Sequence, residues 1–140
     1  GRYTVSDRVL QAVQAEFSCG FCTDAQGAQT IGKAFREKNY LLDTHTAVAC
    51  TVLDAYRAET NDQTLTVVES TASPFKFCAS VLDALGVTEH APGTGVLAQL
   101  TAETGCSVPG PLASLAGKAV RFEQVTDKAA MRTVVTEFLR

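Results

Sequence analysis

Thr64-Leu65-Thr66-Val67-Val68-Glu69-Ser70-Thr71-Ala72-Ser73-Pro74-Phe75-Lys76-Phe77 is the stretch on which a reading of this chain turns. The β-branched and apolar residues at 64 to 68 favour a pleated, buried setting, so the segment predicts a strand over 64–69. Pro74 suits the first turn of a helix, where its missing N–H is no loss, and Ser73 is a preferred N-cap. Together they predict a helix over 74–85 with Cys78, Val81, Leu82 and Leu85 facing a core, stopped by Gly86. Between strand and helix, Ser70, Thr71 and Ser73 place three hydroxyls on a turn. Open α/β sheets bind ligands at the carboxyl ends of their strands, and free N–H groups at a helix N-terminus attract anions. An ordinary strand-to-helix connection with a serine cap fits the same residues.

Upstream, Ser6 or Asp7 can cap a helix carrying Val9, Leu10, Val13 and Phe17. Thr23 followed by Gln26 reads as a capping box for a second helix with Ala28, Ile31 and Phe35 in phase. Tyr40-Leu41-Leu42 is an apolar link that fits a small strand. Asp43 or Thr44 then caps a third helix, on which His45, Val48, Ala49, Val52, Leu53 and Tyr56 share a stripe at helical spacing. Downstream of Gly86, residues 94–104 predict a shorter helix with Leu97 and Leu100, ended by Gly105. Pro109-Gly110-Pro111 breaks the chain. Val120 and Phe122 alternate with Arg121 and Glu123 as an edge strand would, and Thr126 or Asp127 opens a last helix with Met131, Val134, Val135, Phe138 and Leu139 in phase. The shift in composition divides the chain into 1–86 and 87–140.

The 140 residues, 46% hydrophobic and 19% charged, suit one globular unit with a real core. A net charge of −3 and the lack of a basic, aromatic-studded run argue against a nucleic-acid partner. No apolar stretch approaches the roughly 20 residues of a membrane span, and no signal-peptide pattern opens the chain. The chain starts Gly1-Arg2-Tyr3 and Met131 is its one methionine, which we read as a processed chain or a piece of a longer one. Five cysteines at 19, 22, 50, 78 and 106 are an odd and scattered set, expected as thiols of a cytoplasmic protein. Cys19-Gly20-Phe21-Cys22 has redox spacing. However, a helical pattern precedes it where a thioredoxin-like pair follows a strand. His45 and His90 are too isolated to complete a zinc site.

Six or so helices accompany only two strand-like segments. A run as apolar as Leu65-Thr66-Val67-Val68 wants neighbours on both edges, and two strands cannot supply them. The expected class is therefore α/β: a helix-rich piece that lends one or two strands to a larger sheet completed elsewhere. Unpaired apolar strand edges would favour self-association of the piece.

Leu41-Leu42-Asp43-Thr44-His45-Thr46-Ala47-Val48-Ala49, followed by Val67-Val68-Glu69-Ser70-Thr71-Ala72-Ser73-Pro74-Phe75-Lys76-Phe77, resembles the carboxy-terminal third of the long bacterial threonine synthases. Tyr3-Thr4-Val5-Ser6-Asp7 and Lys118-Ala119-Val120-Arg121-Phe122 extend the resemblance over nearly the whole chain. It implies a pyridoxal 5′-phosphate enzyme of the tryptophan-synthase-β-like fold (fold type II) that turns O-phospho-L-homoserine and water into L-threonine and phosphate. In that fold a hydroxyl rather than a carboxylate faces the pyridine nitrogen. By resemblance it belongs to Thr71, with Ser70 next and Ala72 alongside. A neutral hydroxyl hydrogen-bonds the nitrogen without forcing it protonated.

The resemblance also places Lys76, Ser73, His45 and Asp43 on the substrate side, with the Lys76 cation suited to a phosphate. The family usually has Pro where this chain has Thr44, which can cap the helix instead. Neither the family's Schiff-base lysine segment nor its glycine-bearing phosphate loop occurs here, and none of Lys33, Lys38, Lys76, Lys118 or Lys128 has the right surroundings. The expected partner is thus an amino-terminal part of the same protein, without which these residues are inactive. A small α/β interaction module without chemistry, or a related cofactor-dependent dehydratase or β-replacement enzyme, are the competing readings.

Overall fold

A computed structural model describes residues 2–140, and local chemistry sets where the helices begin and end. They are α1 (Asp7–Glu16), α2 (Asp24–Lys38), α3 (Thr44–Thr60), α4 (Cys78–Leu85), α5 (Gly95–Thr104), α6 (Gly110–Ala113) and α7 (Met131–Phe138). At the start of α2, Thr23 accepts the Gln26 amide N–H at 3.3 Å and donates its own N–H to the Gln26 side chain at 2.8 Å, the predicted capping box. Gly86 and Gly105 end α4 and α5 at φ 91° and 71°, left-handed positions that cost glycine nothing. Ser73 accepts the Phe75 N–H as expected, but it opens a 3₁₀ turn over Pro74–Lys76, and α4 starts only at Cys78. The helix predicted over 74–85 is interrupted at Phe77, whose φ of −129° lies outside the helical region.

Ile31 of α2, Ala47 of α3, Val81 and Leu82 of α4 and Leu100 of α5 share one core with Leu41, Leu42, Phe75 and Cys78. Close approach of α2 and α4 depends on Gly32. A Cβ there would stand 2.9 Å from the Ala84 carbonyl oxygen and 2.8 Å from an Arg36 guanidinium nitrogen. Overpacking of this kind costs about 1–3 kcal/mol, against the roughly 1 kcal/mol that alanine gains over glycine inside a helix. Gly32→Ala is therefore expected to lower the urea midpoint, although a propensity scale alone would raise it.

The α/β class expected from the sequence does not form. Among the described residues there is no strand, and the chain is a helical piece. Residues 64–69 form no strand, and Leu65 and Val67 are 93% and 85% exposed. Val120 and Phe122, read as an edge strand, are likewise exposed, and Leu41 and Leu42 enter the helical core without forming a strand. The physical reason is that β-propensity describes a fit to a half-buried pleated surface rather than a backbone preference. Cross-strand neighbours supply that surface, and the described residues form none beside 64–68.

The face of α3 also differs from the expected stripe. Thr46 and Ala47 are buried and Cys50 and Leu53 half-buried, whereas His45, Val48 and Ala49 are exposed. Hydroxyls can turn inward here because they find partners: Thr51 donates to the Ala47 carbonyl at 2.8 Å and lies 2.7 Å from the Thr30 hydroxyl of α2. The helices predicted near both ends do form, but their apolar faces are left open. α1 has no buried residue, and only Val134 of α7 is even half-buried. No described helix is long and apolar enough to cross a membrane.

Candidate functional site

The amino-terminal end of α3 is where the two sequence motifs meet. Asp43, 1% exposed, is the N-cap. One of its oxygens accepts the His45 N–H at 2.9 Å and the Thr46 N–H at 3.4 Å, and the same oxygen lies 3.2 Å from His45 Nδ1. Its other oxygen accepts the Thr46 hydroxyl. Burial pushes the Asp43 carboxyl up. Hydrogen bonds from the Thr46 hydroxyl, the His45 and Thr46 amides and the His45 ring outweigh it and hold the group below the ordinary carboxylate range.

Thr46 carries the connection onward. Its Oγ1 is 3.0 Å from Oγ of Ser70, so the buried cap of α3 and the hydroxyl-rich turn belong to one chain of hydrogen bonds. The other end of the same segment is held by Arg57 of α3, which donates to the Thr64 carbonyl at 3.0 Å and to the Thr66 hydroxyl at 3.1 Å. Nearby, Asp62 accepts the Thr64 N–H at 2.8 Å and the Tyr56 hydroxyl at 3.2 Å. These bonds fix the segment on α3, where the sequence suggested ladder bonds of a sheet. The His45 ring leans on Phe77, with centroids 4.9 Å apart and planes at 57°, an arrangement aromatic pairs favour.

Among the residues predicted for the site, Asp43, His45 and Ser70 thus come together. Ser73 is engaged as the cap of the 3₁₀ turn, Ala72 is half-buried, and Thr71 and Lys76 stand exposed. Two clefts flank the junction. One of about 470 Å³ has His45, Thr44, Cys22, Ser80 and Asp83 on its walls. The other, about 550 Å³, is bordered by Thr46, Ser70, Val68, Arg57, Lys33 and Lys38. Thr71 lines neither. Sequence reasoning missed Thr46, Arg57 and Phe77. The Asp-x-x-Thr spacing over 43–46 could have revealed Thr46, because it sets a hydroxyl over a capping carboxylate. No local pattern marks Arg57.

All five cysteines are free thiols, and burial, foremost, pushes the thiols of Cys50 and Cys78 up. Among the described residues, no group of three or more His, Cys, Asp and Glu side chains is placed to hold a metal ion.

Residues 46–135 match the family model for the carboxy-terminal region of threonine synthase. Threonine synthase-like 1 of Mus musculus is 32% identical over 82 residues, which is 58% of this chain and 10% of that protein. The Homo sapiens protein of the same name is 26% identical over 87 residues, 62% of this chain and 11% of its own length. Threonine synthase of Saccharomyces cerevisiae is 29% identical over 90 residues, covering 61% of this chain and 18% of the yeast protein. The chain therefore spans well under a quarter of each of these curated relatives. The matched span takes in most of the chain, including the Thr46–Ser70 contact and the whole hydroxyl turn, and on that ground this chain belongs to the threonine synthase carboxy-terminal family.

Proposed function

We propose that this chain is the carboxy-terminal portion of a cytoplasmic threonine synthase that, at full length, converts O-phospho-L-homoserine and water to L-threonine and phosphate with pyridoxal 5′-phosphate. The observation that carries the reading is the family match over residues 46–135. The hydrogen bond between Thr46 and Ser70 supports it by making one unit of the two motifs. When bound, the cofactor supplies an electron sink for a carbanion.

The donor chemistry suits one edge of that cofactor. Thr71 offers an exposed neutral hydroxyl, the kind of donor a pyridine nitrogen accepts, while the nearby Asp43 carboxylate is turned inward. In this reading Thr71 donates to the ring nitrogen, with Ser70 and Ala72 beside it. Lys76 and Ser73 face the substrate phosphate, and Asp43 holds His45 toward the substrate. The lysine that anchors the cofactor comes from elsewhere. A nucleophilic lysine is activated by a desolvated or cationic pocket, and all five lysines here are exposed. The 140 residues alone are accordingly inactive.

The test is phosphate and threonine release by the full-length protein, alongside visible absorbance of the 140-residue chain mixed with the cofactor. Equal amounts of the two products are expected from the former, and no protein-bound visible band from the latter. Thr71→Ala at full length should lower kcat about tenfold, since a hydrogen bond is worth about 0.5–1.5 kcal/mol and 1.36 kcal/mol is a factor of ten. Deamination of hydroxyamino acids without phosphate release would instead assign the related dehydratase reaction. Unchanged turnover in the variant would remove Thr71 from the role given to it.

A further inference from the structure

The pairing of Asp43 with His45 fixes more than the position of a ring. Asp43 is buried, and its oxygen 3.2 Å from Nδ1 already accepts two backbone N–H groups. An ionised carboxylate has no proton to give, so the hydrogen between these atoms resides on Nδ1, and the Thr44 hydroxyl, 3.4 Å from the same nitrogen, is the weaker second contact there. Nε2 of the neutral ring is then a bare acceptor. Phe77 supports the ring from one side, and 66% of the side chain remains open at the wall of the 470 Å³ cleft. A buried carboxylate that orients an imidazole on the wall of a cavity, with the far nitrogen unprotonated, is the arrangement a general base requires.

We propose that His45 is a proton-transfer residue, held as the Nδ1–H tautomer by Asp43 as its positioning residue. The proton that Nε2 takes comes from a water molecule in the cleft. The O–H bond breaks, its electron pair stays on the water oxygen as hydroxide, and the imidazolium formed is balanced by the Asp43 carboxylate. The open ring returns the proton to solvent. The other acidic and thiol groups on the same cleft are Cys22, Asp24 at the start of α2 and Asp83 of α4, the last also 3.1 Å from His90 Nε2. The assignment of the water step rests on the threonine synthase reading, whereas the tautomer stands on the geometry alone.

Two measurements separate these. In ¹⁵N NMR of the 140-residue chain at neutral pH, the His45 ring should show the Nδ1–H pattern, retained in Thr44→Val and shifted toward Nε2–H in Asp43→Asn. A wild-type spectrum of the Nε2–H form overturns the proposal whatever the enzyme does. In the full-length protein, His45→Gln keeps the backbone N–H that Asp43 caps. It should lower kcat by about a hundredfold or more, with KM within about threefold and the cofactor's visible band intact. A kcat within threefold of wild type overturns the catalytic role. If the unmodified full-length protein releases no phosphate, the threonine synthase reading fails, and the water step with it, while the tautomer result still stands.

Discussion

Asp43→Ala is expected to lower the free energy of unfolding by about 2–4 kcal/mol, combining a lost N-cap at about 1 kcal/mol with stranded buried donors at about 1–3 kcal/mol. The carboxylate is the shared acceptor for the Thr46 hydroxyl and for the His45 and Thr46 amides, and alanine offers none of these a partner. Asp43→Asn keeps an acceptor of the same shape and should cost about half as much. Chemical denaturation of the three proteins checks this, and a difference below about 0.5 kcal/mol for alanine would refute the cap's importance. The acid limb gives a second check. The folded carboxyl titrates below the unfolded value of about 3.9, so the unfolded chain takes up the proton first. The contribution of Asp43 is complete above about pH 5 and is lost as pH falls through the unfolded and then the folded value. The stability gap between wild type and Asp43→Asn should therefore be constant near neutrality and narrow on acidification.

Leu82→Ala is expected to destabilise by about 2–5 kcal/mol, the range for deleting a fully buried leucine whose site cannot collapse. Leu82 has no exposed surface, and it sits in α4 among Ile31, Val81 and Leu100, which come from three helices. Relaxation on one side would open a gap on another, so the upper half of the range is expected. Leu85→Ala, one turn on and only half-buried, should cost clearly less. Thermal melts of the two variants provide the comparison. Equal losses would mean that the interior is loose enough to refill around residue 82.

What was legible in the sequence was governed by neighbours along the chain. The Thr23–Gln26 box, the Ser73 cap and the Gly86 and Gly105 stops need only the few residues beside them, and each stands where the sequence placed it. The inward set Cys78, Val81 and Leu82 was equally plain, because helical spacing dictates which residues share a face. The strands were misread for the opposite reason. Leu65-Thr66-Val67-Val68 has the composition of a central strand, but a strand needs a neighbour to pair with, and composition cannot report one. The orientation of α3 was misjudged on hydropathy. Thr46 is buried and Thr51 half-buried through hydroxyl partners, one of them on α2, which a count of apolar residues does not foresee.

The Asp43–Thr46–Ser70 contact has a polarity as well as a length. A hydroxyl owns one hydrogen, and Thr46 must direct its own at Asp43, which can only receive. Across the 3.0 Å separation from Thr46, the hydrogen therefore has to come from Ser70. The relay points inward, leaving Ser70 with lone pairs alone for whatever approaches from outside. Of the two adjacent hydroxyls, only Thr71 keeps a hydrogen that it can direct outward, so a guest short of protons would be met at 71 and one rich in them at 70.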